Sequence, residues 1–140
     1  MDYLGAGADI VARLQDVPGL LRVYEPADLS VLEAKSQATP CAHVVYLGDR
    51  VEDTNQGGAT HVVEQTWAVV LVDKLAAGAD TRQAAFGPLL ASVITRLIGY
   101  KPRLSSPLAR INPPGRPWYR NGYGYYPLAF KTTLRLKGDL

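Results

Sequence analysis

One stretch, Thr39 to Pro102, constrains the fold more than the rest of the chain. It opens with Cys41-Ala-His-Val-Val-Tyr-Leu47, apolar on both faces except at His43, which predicts a central strand covered on both sides. A polar stretch from Gly48 to Ala59 follows and predicts a loop, too long for a two-residue hairpin turn. Thr60 to Asp73 predicts a long strand. Its first half alternates, with His61, Val63 and Gln65 on one face and Val62, Glu64 and Thr66 on the other. Its second half, Trp67 to Val72, is continuously apolar. Successive strand residues point to opposite faces, so this change of pattern marks where an exposed arm, residues 48–65, enters a core.

The block closes with a helix, predicted from Thr81 to Ile98. Phe86, Leu89, Leu90, Val93, Ile94, Leu97 and Ile98 recur at i, i+3, i+4 spacing, the pattern of a broad apolar stripe. Thr81 or Asp80 is the expected cap, and Pro88 belongs near the first turn, so the regular helix is expected to begin around Gly87. Gly99 and Pro102 end it. Burying each large apolar side chain on this face contributes about 1.5–3 kcal/mol.

Upstream, Asp9 to Val17 predicts a short helix with Asp9 as N-cap, stopped by Pro18-Gly19. Leu20 to Tyr24 predicts a short strand, and Pro26 to Lys35 a brief helix with Leu29 and Leu32 inward. Downstream, Leu108 to Ile111 is a possible strand. Asn112 to Tyr126 is a Pro/Gly/Tyr-rich loop or hairpin tip with Asn121-Gly122 as its turn. Pro127 to Lys137 is a half-buried strand with Leu128, Phe130, Thr132, Leu134 and Leu136 on one side. The fold class is therefore α+β. We expect a mixed or antiparallel sheet of about four to five strands against one long amphipathic helix, with a short N-terminal helix. At 140 residues, and without a linker or repeat, residues 1–140 are expected to form a single domain.

Composition narrows the function classes. A hydrophobic share of 47% with 20% charged residues is that of a soluble globular protein. The single cysteine, Cys41, excludes an internal disulfide framework and fits a reducing compartment. No apolar run reaches the ~20 residues that span a bilayer, so no membrane role is expected. The start of the chain lacks the basic region of a signal peptide, which predicts synthesis and use in a cytoplasm. Charge is uneven: residues 1–95 hold 6 Lys+Arg against 12 Asp+Glu, net −6, and residues 96–140 hold 9 against 1, net +8. A basic end can attract nucleic acid, dock on an acidic neighbour, or simply be solvated.

No catalytic kit emerges. Cys41 and His43 share a strand face, but a Cys/His nucleophile also needs an orienting group, and core or interface residues are the better reading. His61 lies on the arm without companion ligands, so neither metal nor cofactor is expected. Asp49, Glu52 and Asp53 do not match a calcium loop. Gly57-Gly58 lacks the Lys-Ser/Thr of a phosphate loop. The best binding candidate is Trp118-Tyr-Arg-Asn-Gly-Tyr-Gly-Tyr-Tyr126. Aromatics interleaved with Arg stack on bases, form protein–protein hot spots, or cover their own sheet edge.

Several segments resemble one family. These are Ala38-Thr-Pro-Cys-Ala-His-Val-Val-Tyr-Leu-Gly48, a polar loop, His61-Val-Val-Glu-Gln-Thr-Trp-Ala-Val-Val-Leu-Val72, the helix end Leu97-Ile-Gly-Tyr-Lys-Pro102, and Phe130-Lys-Thr-Thr-Leu-Arg-Leu136. Together they are similar to the tail terminator proteins of long-tailed bacteriophages and prophages, over most of residues 10–137. The resemblance implies a non-enzymatic virion subunit, assembled in the host cytoplasm into a homo-oligomeric, hexameric ring. Its partners would be the tail tube protein and the head-side connector, with DNA passing only as cargo. The Pro/Gly/Tyr-rich segment 112–126 departs from the family pattern. On this reading the candidate subunit and tube contacts are Asp49, Arg50, Glu52, Asp53, His61 and Glu64 on the arm, and Arg116, Trp118, Tyr119, Arg120, Tyr123 and Tyr125 beyond it. Another neck or tail-completion subunit, or a nucleic-acid-binding accessory domain using the basic aromatic third, is the alternative.

Overall fold

The computed structural model of the chain describes residues 1–25, 32, 38–74 and 79–140, the stretch 79–85 in backbone only. In chain order its elements are α1 (Gly5–Leu14), β1 (Arg22–Tyr24), β2 (Cys41–Asn55), β3 (Thr60–Lys74), α2 (Ala79–Leu97), β4 (Ala109–Ile111), β5 (Trp118–Arg120) and β6 (Tyr123–Lys137). The fold is α+β, as expected. The sheet, however, has six strands rather than four to five, in the order β1-β2-β3-β6-β4 with β5 added to β6. It is mixed because β1 runs parallel to β2 while the other pairs are antiparallel.

The long strands dominate. β2, β3 and β6 are 15 residues each, about 50 Å at the rise of an extended chain. β3 is paired along its whole length, from Thr60↔Lys137 to Lys74↔Tyr123 on one side and from Asn55↔Thr60 to Cys41↔Val72 on the other. Gly48 to Asn55 is thus strand and not loop; the connection shrinks to Gln56–Ala59. Two register shifts, between Tyr46 and Gly48 and between Val51 and Asp53, are bulges in β2. Gly48, at φ 110°, sits in the first of them, in backbone territory that favours glycine.

Both sheet faces are covered over the core half. On one face Ala42, Val44, Trp67, Val69, Leu71, Leu128 and Phe130 pack with Ile10 and Leu14 of α1 and Leu89, Val93 and Leu97 of α2. On the other, Cys41, Val45, Ala68, Val70, Val72 and Tyr125 pack with Leu32, Tyr24 and Trp118. Two-sided burial is what the unbroken apolar run Trp67–Val72 requires. Leu32 is buried; the rest of the expected helix Pro26–Lys35 lies outside the described residues.

The helices differ from expectation in extent. α1 begins four residues before Asp9, which is inside the helix and buried rather than capping it. α2 starts at Ala79, so Pro88 is internal and not in the first turn. Asp80 and Thr81, expected as caps, lie one and two residues inside the helix and so do not cap it. The apolar face of α2 is narrower than predicted: Leu89, Val93 and Leu97 are buried, Phe86, Leu90 and Ile94 only partly, and Ile98 is 48% exposed. The two helices are tied at their C-terminal ends. Arg13 Nε donates to the Arg96 carbonyl and Arg96 Nε to the Arg13 carbonyl, both at 3.1 Å, and Arg96 pairs with Asp16.

Candidate assembly surfaces

Past the core, β2, β3 and β6 continue together as a three-stranded blade. Its register runs Val51↔Val63↔Leu134 and Arg50↔Glu64↔Thr133. Val63 and Leu134 are buried, whereas residues 49–58 are exposed. Residues 48–65, expected as an exposed arm, are thus largely sheet, and within them Val63 and Gln65 are buried. Strand pairing of Glu64, Val63 and Val62 with β6 makes the blade stiffer than a free hairpin, since these β3 residues have a strand on both sides.

A polar network anchors the base of the blade. Trp67 Nε1 donates to Gln65 Oε1 at 3.1 Å, and Gln65 Nε2 donates to the Tyr3 carbonyl at 2.7 Å. The Tyr3 and Tyr46 hydroxyls donate to Asp49 Oδ2 at 2.5 and 2.9 Å. These bonds hold the Asp49 carboxyl below its ordinary range. Burial, then the Asp49 bond and charge, push the Tyr46 phenol up. Sequence reasoning missed Tyr3 and Tyr46, which lie 46 and 3 residues from Asp49; the first is brought there by the tertiary fold, its carbonyl held by Gln65.

On the blade the other arm candidates separate. Arg50 Nη2 donates to Glu52 Oε1 at 2.5 Å, which keeps the Glu52 carboxyl low and raises the Arg50 guanidinium. Glu64 reaches Lys131 Nζ at 3.7 Å across β3 and β6. Asp53 is exposed and receives only a long Asn55 amide bond, 3.4 Å. His61 is half-buried opposite Thr54 and Leu136. The cations Lys131, Arg135 and Lys137 complete the surface from β6, and sequence reasoning did not single them out. Their signal was present: every second residue of Lys131-Thr-Thr-Leu-Arg-Leu-Lys137 is polar while Leu134 and Leu136 point the other way.

The second group lies at the opposite end of the blade, because β6 starts there. The segment expected as a loop forms a hairpin of β5 and β6, turning at Asn121 and Gly122 with φ of 51° and 81°. Both angles are positive, as a two-residue primed turn demands. Trp118 stacks on its cross-strand partner Tyr125, centroids 4.8 Å apart and planes within 2°. Tyr125 is 2% exposed, so it packs the core of its own subunit rather than facing a partner. Tyr119 is 64% exposed, Arg116 and Arg120 are exposed, and Tyr123 is half-buried. Beside the hairpin lies an apolar hollow of about 230 Å³, lined by Phe86, Leu90, Pro117, Tyr119 and Tyr126.

The buried Cys41 and His43 approach to 3.8 Å (Sγ to Nε2), and His43 stacks on Tyr24 at 4.8 Å. Burial pushes the Cys41 thiol up to about 12 and the His43 imidazole down to about 4. A thiol that stays protonated is a poor nucleophile, so this pair is packing.

The sequence model of the phage tail terminator protein matches residues 1–139. Among solved structures, a chain of the virion of a native gene transfer agent particle is similar in fold, with a TM-score of 0.57 at 17% identity over 98% of this chain and 100% of that one. No curated protein matches.

Proposed function

The chain belongs to the phage tail terminator family, a family of structural virion proteins and not of enzymes, and from that premise we propose that it forms a hexameric ring capping the tail tube. The ring stops tube polymerisation and offers the head-side connector its docking surface, with DNA passing through only as cargo. The family match over residues 1–139 carries this reading.

The geometry supports it in two ways. A closed ring is built from heterologous contacts, in which one patch meets a different patch on the next copy. The blade (Asp49, Arg50, Glu52, Asp53, His61, Glu64) has two different edges, β2 and β6, and the aromatic hairpin (Arg116, Trp118, Tyr119, Arg120, Tyr123) is a separate surface at the other end of the same long sheet. A stiff sheet also transmits position from one end of the subunit to the other. A nucleic-acid role for the hairpin is disfavoured because the Trp118 ring is stacked on Tyr125 and not free to stack on a base on that side.

Electron microscopy of particles made without this protein tests the function. Overlong or headless tails are expected; tails of normal length joined to heads would sink the reading. Sedimentation of the protein alone and with the tail tube protein tests the ring, and no association in either case would count against it.

A further inference from the structure

We propose that neighbouring copies meet blade to blade, the acidic β2 edge of one against the basic β6 edge of the next. The proposal rests on the ring reading above and specifies its interface.

The observation is a sorting of charge across a narrow blade. Three strands at sheet spacing put the β2 and β6 edges only about 10 Å apart. Asp49, Arg50, Glu52 and Asp53 lie on β2, a net acidic set. Lys131, Arg135 and Lys137 lie on β6, with no acid between Pro127 and Lys137. Within the subunit Arg50 is taken by Glu52, and Lys131 by Glu64. What is left is sorted by edge: Asp49 and Asp53 on β2, Arg135 and Lys137 on β6, with no ion-pair partner among the described residues. All four residues are exposed. Asp139, beyond the strand, is the one acid that follows.

Both edges are also open. β1 pairs with β2 only at Cys41–His43, so from Val44 to Asn55 no described strand lies on its outer side. β4 covers β6 only at Ala129–Lys131, and Ser106 extends that cover to Thr133, its N–H donating to the Thr133 carbonyl and its Oγ accepting from the Thr133 N–H, both at 2.9 Å, so the open edge of β6 begins at Leu134. The β2 edge is nevertheless guarded against simple strand addition, since bulges and charges are what proteins use to blunt an edge. The contact therefore runs through side chains, and complementary charge sets partner and register. Such an edge-to-edge interface is heterologous, acid to base at each step around the ring.

Reversing one edge at a time tests this. Glu52→Lys with Asp53→Lys makes both edges basic; Arg135→Glu with Lys137→Glu makes both acidic. All four positions are exposed, and far-UV circular dichroism checks that each variant folds. Assembly is read by sedimentation with the tail tube protein. Each variant alone is expected to associate roughly tenfold or more weakly than the parent, because like charges then face each other. An equimolar mixture is expected to recover, since every acid edge again meets a basic one. The milder pair Asp53→Asn and Arg135→Gln should weaken assembly in the same direction. Folded variants that each assemble like the parent, or a mixture that fails to recover, would overturn the blade interface while leaving the ring intact. Failure of the parent protein itself to associate would overturn the ring reading, and this proposal with it.

Discussion

Arg103 closes on Asp9 from the far side of the chain. Its backbone N–H donates to Asp9 Oδ2 at 2.8 Å, and its guanidinium Nη2 donates to Oδ1 at 2.9 Å. Burial raises the Asp9 carboxyl, but the Arg103 bonds and charge outweigh it and hold the group below its ordinary range. This contact pins α1 to the segment after α2. Asp9→Ala should destabilise the fold by about 1 kcal/mol, the net worth of its hydrogen bonds, since the exposed Arg103 guanidinium returns to water when they are lost. Urea denaturation at pH 7 measures it. The Asp9 contribution is present above the ordinary carboxylate range and is lost as pH falls through the depressed folded value, so parent and variant should converge in strong acid.

Gly7 presses α1 onto the sheet. A Cβ there would lie 2.4 Å from Cζ3 of Trp67, whose ring is itself held by Gln65. Gly7→Ala gains helix propensity of up to about 1 kcal/mol but overpacks a closed contact, which costs about 1–3 kcal/mol. The net expectation is a lower urea midpoint, together with a changed near-UV signal from Trp67. A midpoint at or above that of the parent would show that the ring can yield.

The core was legible in the sequence because burial writes itself as pattern. Cys41–Leu47 and Trp67–Val72 are apolar on both faces, and both faces are covered. Residues 48–55 of the blade were read as a loop because they are polar and largely exposed and carry no hydrophobic period; they are strand only because they pair with β3, which β6 in turn holds from far along the chain. Gly48 deepened the misreading: a glycine among polar residues signals a turn, yet here it serves a bulge. Asp9 fits an N-cap by residue type, but the tertiary partner Arg103 took it into the helix interior. Asn121-Gly122 was read correctly as a turn, since its signal is local. The alternating cations of β6 were visible but became an edge only once Thr60↔Lys137 fixed the register.

His43 makes stability depend on pH. Burial lowers its folded value to about 4 from an ordinary 6.5, so the unfolded chain binds more protons in between. Stability is therefore full above about pH 6.5 and falls as pH drops from 6.5 towards 4, by up to roughly 3 kcal/mol. Urea midpoints at pH 7.5, 5.5 and 4.5 should fall in that order. His43→Leu should remove most of the slope over this range while leaving that of Asp9 at lower pH.

Cys41 should be silent to thiol reagents in the folded protein. It has no exposed surface, and burial pushes its thiol up to about 12. Ellman's reagent at pH 8 should label it only as the sheet opens, with a rate that rises with urea. Rapid labelling without denaturant would mean that β1 and Leu32 leave β2 readily.

The aromatic hairpin depends on its turn. Gly122, at φ 81°, adopts a conformation that costs an L-residue about 1–2 kcal/mol, whereas Asn121 at 51° is a residue type that tolerates it. Gly122→Ala should therefore weaken the hairpin by about 1 kcal/mol. The loss falls first on β5, three residues long and paired, among the described strands, with β6 alone. Its release would expose Tyr125 by removing the stacked Trp118 ring. Amide hydrogen exchange should show faster exchange at Trp118–Arg120, with the blade residues Val62–Gln65 unchanged. If the hairpin carries an assembly contact, the same variant should assemble more weakly at unchanged blade protection. Unchanged exchange at Trp118–Arg120 would show that the stack, and not the turn, holds the hairpin.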